Sequence, residues 1–336
     1  LASSSAASDV YKRQLYFHLG LNSLMNKKVF FIPLSASFLF FVAYLLLAQT
    51  GSFLSVEPGY SINDVSRWCE RISGGYFREP SNALSNIGFI TTGLIMFWIL
   101  SRESRGKSRF HGASPTAIIF ATAALFLGPG SLLMHGTHTA WGQWADWLSM
   151  IMFISIPWLV NIFVIKDYSE NVFAKTYVSY ITIYALISWN FGNDLGIGLN
   201  LWFLSIALWV ITEALQHFYS PLLRLLSGFI GFLVAAVFGV FPNEIFANLS
   251  EYWWVILFWI PAIFINKKSL MRKTRFRWFW FGMFTYLTAF VIWLQGYPET
   301  DFCNPDSIVQ AHALWHILSS IATLFFFFYF RSLRLT

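Results

Sequence analysis

The stretch HALWHILSSIATLFFFFYF, residues 312–330, contains no lysine, arginine, aspartate or glutamate and begins with two histidines four residues apart. At a rise of about 1.5 Å per residue, a helix of this length crosses most of a hydrocarbon layer of roughly 30 Å. Residues four apart share one face of a helix. The stretch therefore predicts a membrane-spanning helix that starts with two imidazoles on the same face.

Similar apolar stretches recur along most of the chain. Of its 336 residues, 57% are hydrophobic and 11% are charged, whereas about 25% of the residues of an average soluble domain are charged. Because lipid cannot pair backbone N–H and C=O groups, each stretch is expected to form a helix, and the fold class is an all-α, polytopic helical bundle. The predicted spans lie near residues 29–48, 82–100, 114–135, 143–165, 172–191, 197–218, 223–241, 252–266, 277–295 and 309–331. The short stretch 252–266 is also compatible with a re-entrant segment.

The loops between these spans alternate in charge, and the alternation predicts their orientation. Basic residues concentrate in one set of loops, and the alternate loops are acidic or neutral; the basic segments are 101–110, 266–277 and 331–336, and the others are 191–196, 242–251 and 296–307. Since basic loops stay in the cytoplasm, both termini are predicted to lie there. The net charge of +6 is spread over these loops rather than over one face, which argues against a nucleic-acid partner.

The chain divides into five segments. Residues 1–24 precede Met25 and a pair of lysines and are interpreted as a non-native extension. Residues 25–50 are expected to form an N-terminal transmembrane helix, either a retained signal-anchor or a cleaved signal, and we favour the retained helix. An outward polar segment (51–81), the main transmembrane domain (82–331) and a cytoplasmic tail (332–336) complete the chain.

Five polar side chains are predicted to lie in one layer near the outer boundary. Ser131 and His135 share a face at the end of one span, Asp146 lies near the start of the next, and His312 and His316 begin the last. Each residue taken alone is compatible with a hydrogen bond between neighbouring helices. Ionisable residues within spans are costly and usually functional, so their coincidence predicts a site.

Three neutral imidazoles suit a catalytic zinc ion, because they leave its fourth position open for water. Zinc lowers the pKa of such a water to about 7. Asp146 is predicted either to take the water's proton as a general base or to orient a ligand histidine. Ser131 is predicted to donate a hydrogen bond to the oxyanion formed from a carbonyl. His138, three residues after His135, is a competing ligand.

Cys69 and Cys303 are the only cysteines, and both are predicted to lie outside. An oxidising outer compartment permits a disulfide between them, which would tie the outward segment to the start of the last helix. The alternative is two free thiols.

Four short motifs resemble those of the alkaline ceramidase family. GPGSLLMH (128–135) is followed eleven residues later by Asp146, and HALWH (312–316) opens the last span. WCERISGGYFREPSNALSN (68–86) leads into the first span of the main domain, and DFCNPDS (301–307) leads to the histidines. The resemblance covers about residues 67–331 and is closest to a bacterial-type member. It also places the chain in the membrane-hydrolase superfamily that includes adiponectin receptors and Per1-type proteins.

The resemblance implies a zinc-dependent intramembrane amidohydrolase that cleaves the N-acyl bond of ceramide, or of a related membrane lipid amide, to a sphingoid base and a fatty acid. It implies a seven-helix core, so the predicted spans leave about two extra helices besides the N-terminal one. Carried over to this sequence, it makes His135, His312 and His316 the zinc ligands, Asp146 the general base and Ser131 the oxyanion donor.

Animal members of the family hold calcium near the WCE segment. Trp68, Glu70 and Glu79 match that pattern and form a candidate secondary cation site, but Arg67 stands where an aspartate is expected. Replacing an anionic ligand by a cation weakens a Ca²⁺ site, so calcium is a weak candidate. The alternative is that Glu70 and Glu79 pair with Arg67 or Arg71.

Two other functions remain compatible with these residues. The first is an esterase or phospholipase acting on a glycerolipid or GPI-like lipid, and the second is a lipid-sensing receptor with structural zinc. Short loops and basic inner faces favour a bacterial inner membrane with the site facing the periplasm.

Overall fold

The computed structural model describes residues 3–105, 108–264 and 276–332 of the chain. Within these ranges the chain is built from helices, which confirms the predicted all-α class. The α-helices are α1 (Ser3–Thr50), α2 (Pro80–Ser85), α3 (Ile87–Ser101), α4 (Pro115–Thr137), α5 (Ala140–Ile165), α6 (Glu170–Phe191), α7 (Leu201–His217), α8 (Pro221–Leu226), α9 (Gly228–Val237), α10 (Pro242–Ala247), α11 (Ile260–Phe264), α12 (Phe276–Trp293) and α13 (Ala311–Arg331). A 3₁₀ helix, Trp253–Trp259, precedes α11.

Five helical segments of the described chain are long and apolar enough to cross a membrane, as expected for an integral membrane protein. They are Asn26–Thr50, Pro80–Ser101, Pro115–Thr137, Ala140–Ile165 and Ala311–Arg331. Ten spans were expected. α6 has sufficient length but is less apolar, with Glu170 and Lys175 in its first two turns.

The region after α6 differs most from the expected spans. The predicted span 197–218 is the 17-residue helix α7, and 223–241 is divided at Ser227 between α8 and α9. The described part of the predicted span 252–266 forms a 3₁₀ helix, Trp253–Trp259, followed by the five-residue α11. The basic loop 266–277 and the tail 332–336 lie largely outside the described residues.

A tight reversal between α4 and α5 positions both helices for the site. Ser114 caps the start of α4, where its hydroxyl accepts from Ala117 N. His138 follows the last residue of α4 and has the left-handed conformation, with φ 51°. The next residue, Thr139, caps α5 by accepting from Gly142 N. Serine and threonine at these positions pair N–H groups that the first turn leaves open. The end of α4 and the start of α5 therefore lie side by side.

The close packing of α4 against α5 depends on Gly130. A β-carbon at this position would lie 2.6 Å from Ser149 Cβ and 2.8 Å from Ala145 O. Any larger residue would separate the two helices, in keeping with the use of small residues at helix contacts in membranes.

The predicted disulfide between Cys69 and Cys303 is confirmed. Arg71 adds a second link between the same segments, since its guanidinium donates to Asp306 at 2.6 and 2.8 Å. These two bonds fix segment 51–81 to the loop that leads into α13.

Candidate metal centre

Three buried histidines from two helices meet at one end of the bundle. His135 lies in the last turn of α4, and His312 and His316 lie in the first two turns of α13. Their possible ligand atoms all lie within 4.8 Å of one another, and within the described chain they are the one group able to hold a metal ion. The histidines predicted to act together are thus brought together.

The spacing of the ring nitrogens suits a metal. His135 Nε2 and His312 Nε2 are 3.1 Å apart. Two nitrogens bound to one tetrahedral zinc, each at about 2.0–2.1 Å, lie about 3.4 Å apart. A small shift of either ring would give this geometry, and the three imidazoles fit the ion.

Glu79 orients His135. Its Oε2 lies 2.6 Å from His135 Nδ1 and accepts from Asn82 Nδ2 at 2.9 Å, and its Oε1 lies 2.8 Å from His138 Nε2. Burial alone would raise the pKa of Glu79, but the imidazoles of His135 and His138 outweigh it and hold that pKa below its usual range. A carboxylate at Nδ1 fixes the tautomer that leaves His135 Nε2 free for a metal.

His316 is oriented by the first turn of α2. Its Nδ1 lies 3.1 Å from the Asn82 carbonyl oxygen and 2.8 Å from Ser85 Oγ. A carbonyl oxygen can only accept, so Nδ1 carries the proton and Nε2 is the free nitrogen. Ser131 Oγ lies 3.4 Å from that Nε2.

Trp68 covers the third histidine. Its ring stacks on that of His312, with the centroids 4.2 Å apart and the planes 22° from parallel. His312 Nδ1 is buried, and no described protein atom bonds to it. Trp68 also packs against Trp293 and Tyr297, so an aromatic group separates this side of the site from solvent.

Asp146 and Ser131 complete the predicted layer. Both side chains are buried, and the Asp146 carboxyl lies close enough to interact with the Ser131 hydroxyl and with His135. The structure therefore brings all five predicted residues to one place, on α4, α5 and α13.

The two carboxylates predicted to hold a second cation have other partners. Glu70 accepts from Ser81 N at 2.6 Å and from Asn82 N at 2.8 Å, at the start of α2. Burial raises the pKa of Glu70, against the effect of these N–H groups. Glu79 is bonded to its two histidines, and no described carboxylate joins a group able to hold a second ion.

The expected alternative pairing of these two glutamates is wrong. Arg67 forms its ion pair with Glu57, and Arg71 forms its ion pair with Asp306. The competing ligand His138 lies outside the metal-binding group and is bonded to Glu79 instead.

Sequence reasoning missed the residues that orient the histidines. Glu79 was assigned only to a weak candidate calcium site or to a pair with Arg67 or Arg71, and Asn82 and Ser85 were noted only as part of a motif. The available signal was the spacing Glu-x-x-Asn-x-x-Ser at 79–85, which places the three polar side chains near one face of the α2 segment.

Comparison with protein families gives a match over most of the chain. The family model described as Ceramidase matches residues 65–336, the bulk of the chain. No curated protein matches the sequence. α1 and residues 51–64 precede the matched part.

Proposed function

The chain belongs to the ceramidase family, and from that membership we propose that it is a zinc-dependent amidohydrolase that cleaves the N-acyl bond of ceramide or a related lipid amide within the membrane. The observation that carries the proposal is the buried three-histidine group with Asp146 and Ser131 beside it. Three nitrogen ligands leave a position for water, as in catalytic rather than structural zinc sites.

Zinc, when bound, would supply a water molecule with a pKa near 7 and polarise the amide carbonyl. The protein's part is to present three nitrogens in the correct tautomer. Glu79 does this for His135, and the Asn82 carbonyl does it for His316.

Asp146 acts as the proton carrier. It takes a proton from the water as the oxygen bonds to the amide carbon, and it returns that proton to the nitrogen as the C–N bond breaks. The products are a fatty acid and a sphingoid amine. Asp146 lies near the start of α5, next to the reversal at His138 and Thr139, and this position holds its carboxyl beside His135.

Ser131 stabilises the charge that develops on the carbonyl oxygen. Its hydroxyl is buried between Asp146 and His316 Nε2. Because the hydroxyl is already shielded from water, it can donate to an oxyanion without a further cost of desolvation.

The receptor with structural zinc is less compatible with this geometry. A structural site closes with four protein ligands, and the nearest further histidine, His138, is bonded through Nε2 to Glu79. The charge of the loops and the Cys69–Cys303 bond support a site that faces an oxidising compartment. We place it on the periplasmic side of a bacterial inner membrane.

The test is release of fatty acid from a labelled ceramide by protein purified in detergent and loaded with zinc. We expect release by the wild type and its loss in His316→Ala. His111→Ala, a histidine at the opposite end of the bundle, is the matched control and should keep full release. A labelled glycerolipid in parallel separates amide from ester specificity. Cleavage of the ester alone, or release that survives His316→Ala, would overturn the proposal.

A further inference from the structure

We propose that residues 44–55, which we call the N-terminal strap, form part of the metal centre by holding the end of α4 in place, and that they are retained in the mature protein. The strap comprises the last turns of α1 and the segment after it, and it precedes the part matched to the ceramidase family. The proposal rests on the proposed function, because the strap acts through the ligand His135.

The end of α4 needs partners for its last carbonyl groups, which a helix cannot pair internally. Two are supplied by the family-matched part of the chain. Glu79 N donates to His135 O at 2.9 Å, and Arg78 N donates to Gly136 O at 3.0 Å. These bonds place the residue that orients His135 directly against its backbone.

The next two carbonyl groups are paired by the strap. Ser55 N donates to Thr137 O at 2.9 Å, and Ser55 Oγ donates to His138 O at 2.6 Å. Arg78 joins both sets, since its Nε donates to Ser55 O at 2.7 Å. Without Ser55, the carbonyl groups of Thr137 and His138 would lose their donors, and the turn would be held only by the bonds from Glu79 and Arg78.

Tyr44, in the last turns of α1, contacts the same turn. Its ring stacks on Phe77 with centroids 4.9 Å apart, and its hydroxyl donates to Tyr76 O at 2.9 Å. The hydroxyl lies so close to Gly136 that a β-carbon there would overlap it. Gly136 follows His135 directly, so α1 fixes the position of the ligand's backbone.

These contacts distinguish a retained α1 from a cleaved signal. A cleaved signal would leave with Tyr44 and Ala48, both of which are buried in the protein. Removal would expose Phe77 and the end of α4. Residues 26–50 of α1 are mostly exposed, and of the three that are buried, Ser37, Tyr44 and Ala48, two lie in the strap.

The test is the zinc affinity of the folded full-length protein, measured by competition with a chromogenic chelator. Alanine stabilises a helix more than glycine does. Gly136→Ala should therefore do no harm unless the new β-carbon clashes with the Tyr44 hydroxyl. We expect about tenfold weaker zinc binding, in the range for loss of a group that orients a ligand. Tyr44→Phe removes the overlapping oxygen and leaves Tyr44 Cζ 3.0 Å from the new β-carbon, so the double variant should regain most of the affinity.

Gly74→Ala is the matched control, because its β-carbon would meet nothing closer than Ile62 Cγ2 at 3.7 Å. Should Gly136→Ala fail to accumulate, Ser55→Ala tests the same turn, with the exposed Ser52→Ala as its control. A mere loss of fold would lower the melting temperature without changing the zinc affinity of the remaining folded protein.

Two results would overturn the proposal: unchanged zinc affinity in Gly136→Ala and Ser55→Ala, or an intact mass showing that the mature protein begins after Thr50. Failure of the proposed function is distinguishable, because wild-type protein that binds zinc but cleaves no ceramide refutes the function and leaves the affinity test of the strap intact.

Discussion

Glu79 provides the sharpest test of how the histidines are held. Its carboxylate accepts from His135 and Asn82 through one oxygen and contacts His138 through the other. Glu79→Gln keeps one acceptor oxygen but makes it neutral and presents an amide NH₂ to the second partner. Glu79→Ala removes both oxygens and leaves buried imidazole nitrogens without partners.

The magnitude follows from these bonds. A hydrogen bond to a charged group contributes about 1.5–3 kcal/mol, and a neutral one about 0.5–1.5 kcal/mol. Glu79→Gln should therefore weaken the hydrogen bond that orients His135 by about 1–1.5 kcal/mol. Each 1.4 kcal/mol is about a tenfold change in affinity. We expect zinc binding about tenfold weaker in Glu79→Gln and about a hundredfold weaker in Glu79→Ala, the span found for such partners.

The assay is titration of zinc-loaded protein with a chelator of known affinity at fixed pH and salt. Glu57→Gln is the control, since Glu57 pairs with Arg67 rather than with a histidine. It should leave zinc binding unchanged. Zinc affinities within about threefold of the wild type for both Glu79 variants would refute our account of the site. A loss of affinity restored by added calcium would favour the cation site inferred from the sequence.

Three further predictions concern other parts of the molecule. Asp146→Asn should retain zinc but lose about 10²–10⁴-fold in ceramide turnover; near-normal turnover would remove Asp146 from proton transfer. Cys303→Ser removes the disulfide to Cys69, which closes a loop with a sequence separation of 234. The free energy of unfolding should fall by about 2–4 kcal/mol, measured as a lower melting temperature that added reductant does not change further. Burial would raise the pKa of Glu103, but Arg331 outweighs it and holds that pKa below its usual range. The Glu103–Arg331 pair therefore stabilises the fold at pH values above the usual glutamate pKa, and this contribution is lost as the pH falls through the lowered pKa of Glu103. The melting temperature of Glu103→Gln should fall less on acidification than that of the wild type.

The candidate site could be predicted because it depends on features that a sequence displays directly. The pairs Ser131 with His135 and His312 with His316 have the spacing of one helix face, and the charge of the loops predicts which helix ends lie together. With only two cysteines on the same predicted side, one pairing was available for Cys69. These are local patterns combined with a single rule about orientation.

The short helices after α7 could not be predicted in the same way. Apart from Arg224 and Ser227, residues 223–241 are apolar or glycine, so hydropathy cannot locate a division at Ser227 or the ends of α8 and α9. These breaks depend on tertiary packing, as where Gly231 lies against Phe258. The role of Glu79 was hidden for a similar reason, since its partner His135 is 56 positions away and no periodicity connects them.

The short helices have a consequence for the surrounding lipid. α9 has 10 residues and reaches about 15 Å, and α8, α10 and α11 are shorter still. The outer face of α8 and α9 is apolar, with Leu225, Phe229 and Leu233 exposed. A hydrocarbon layer of roughly 30 Å cannot match so short an apolar surface without compressing, at a cost of fractions of a kcal/mol per Å. Lipids with short acyl chains compress least, so we expect the protein to gather them along this flank and to partition into the thinner parts of its membrane.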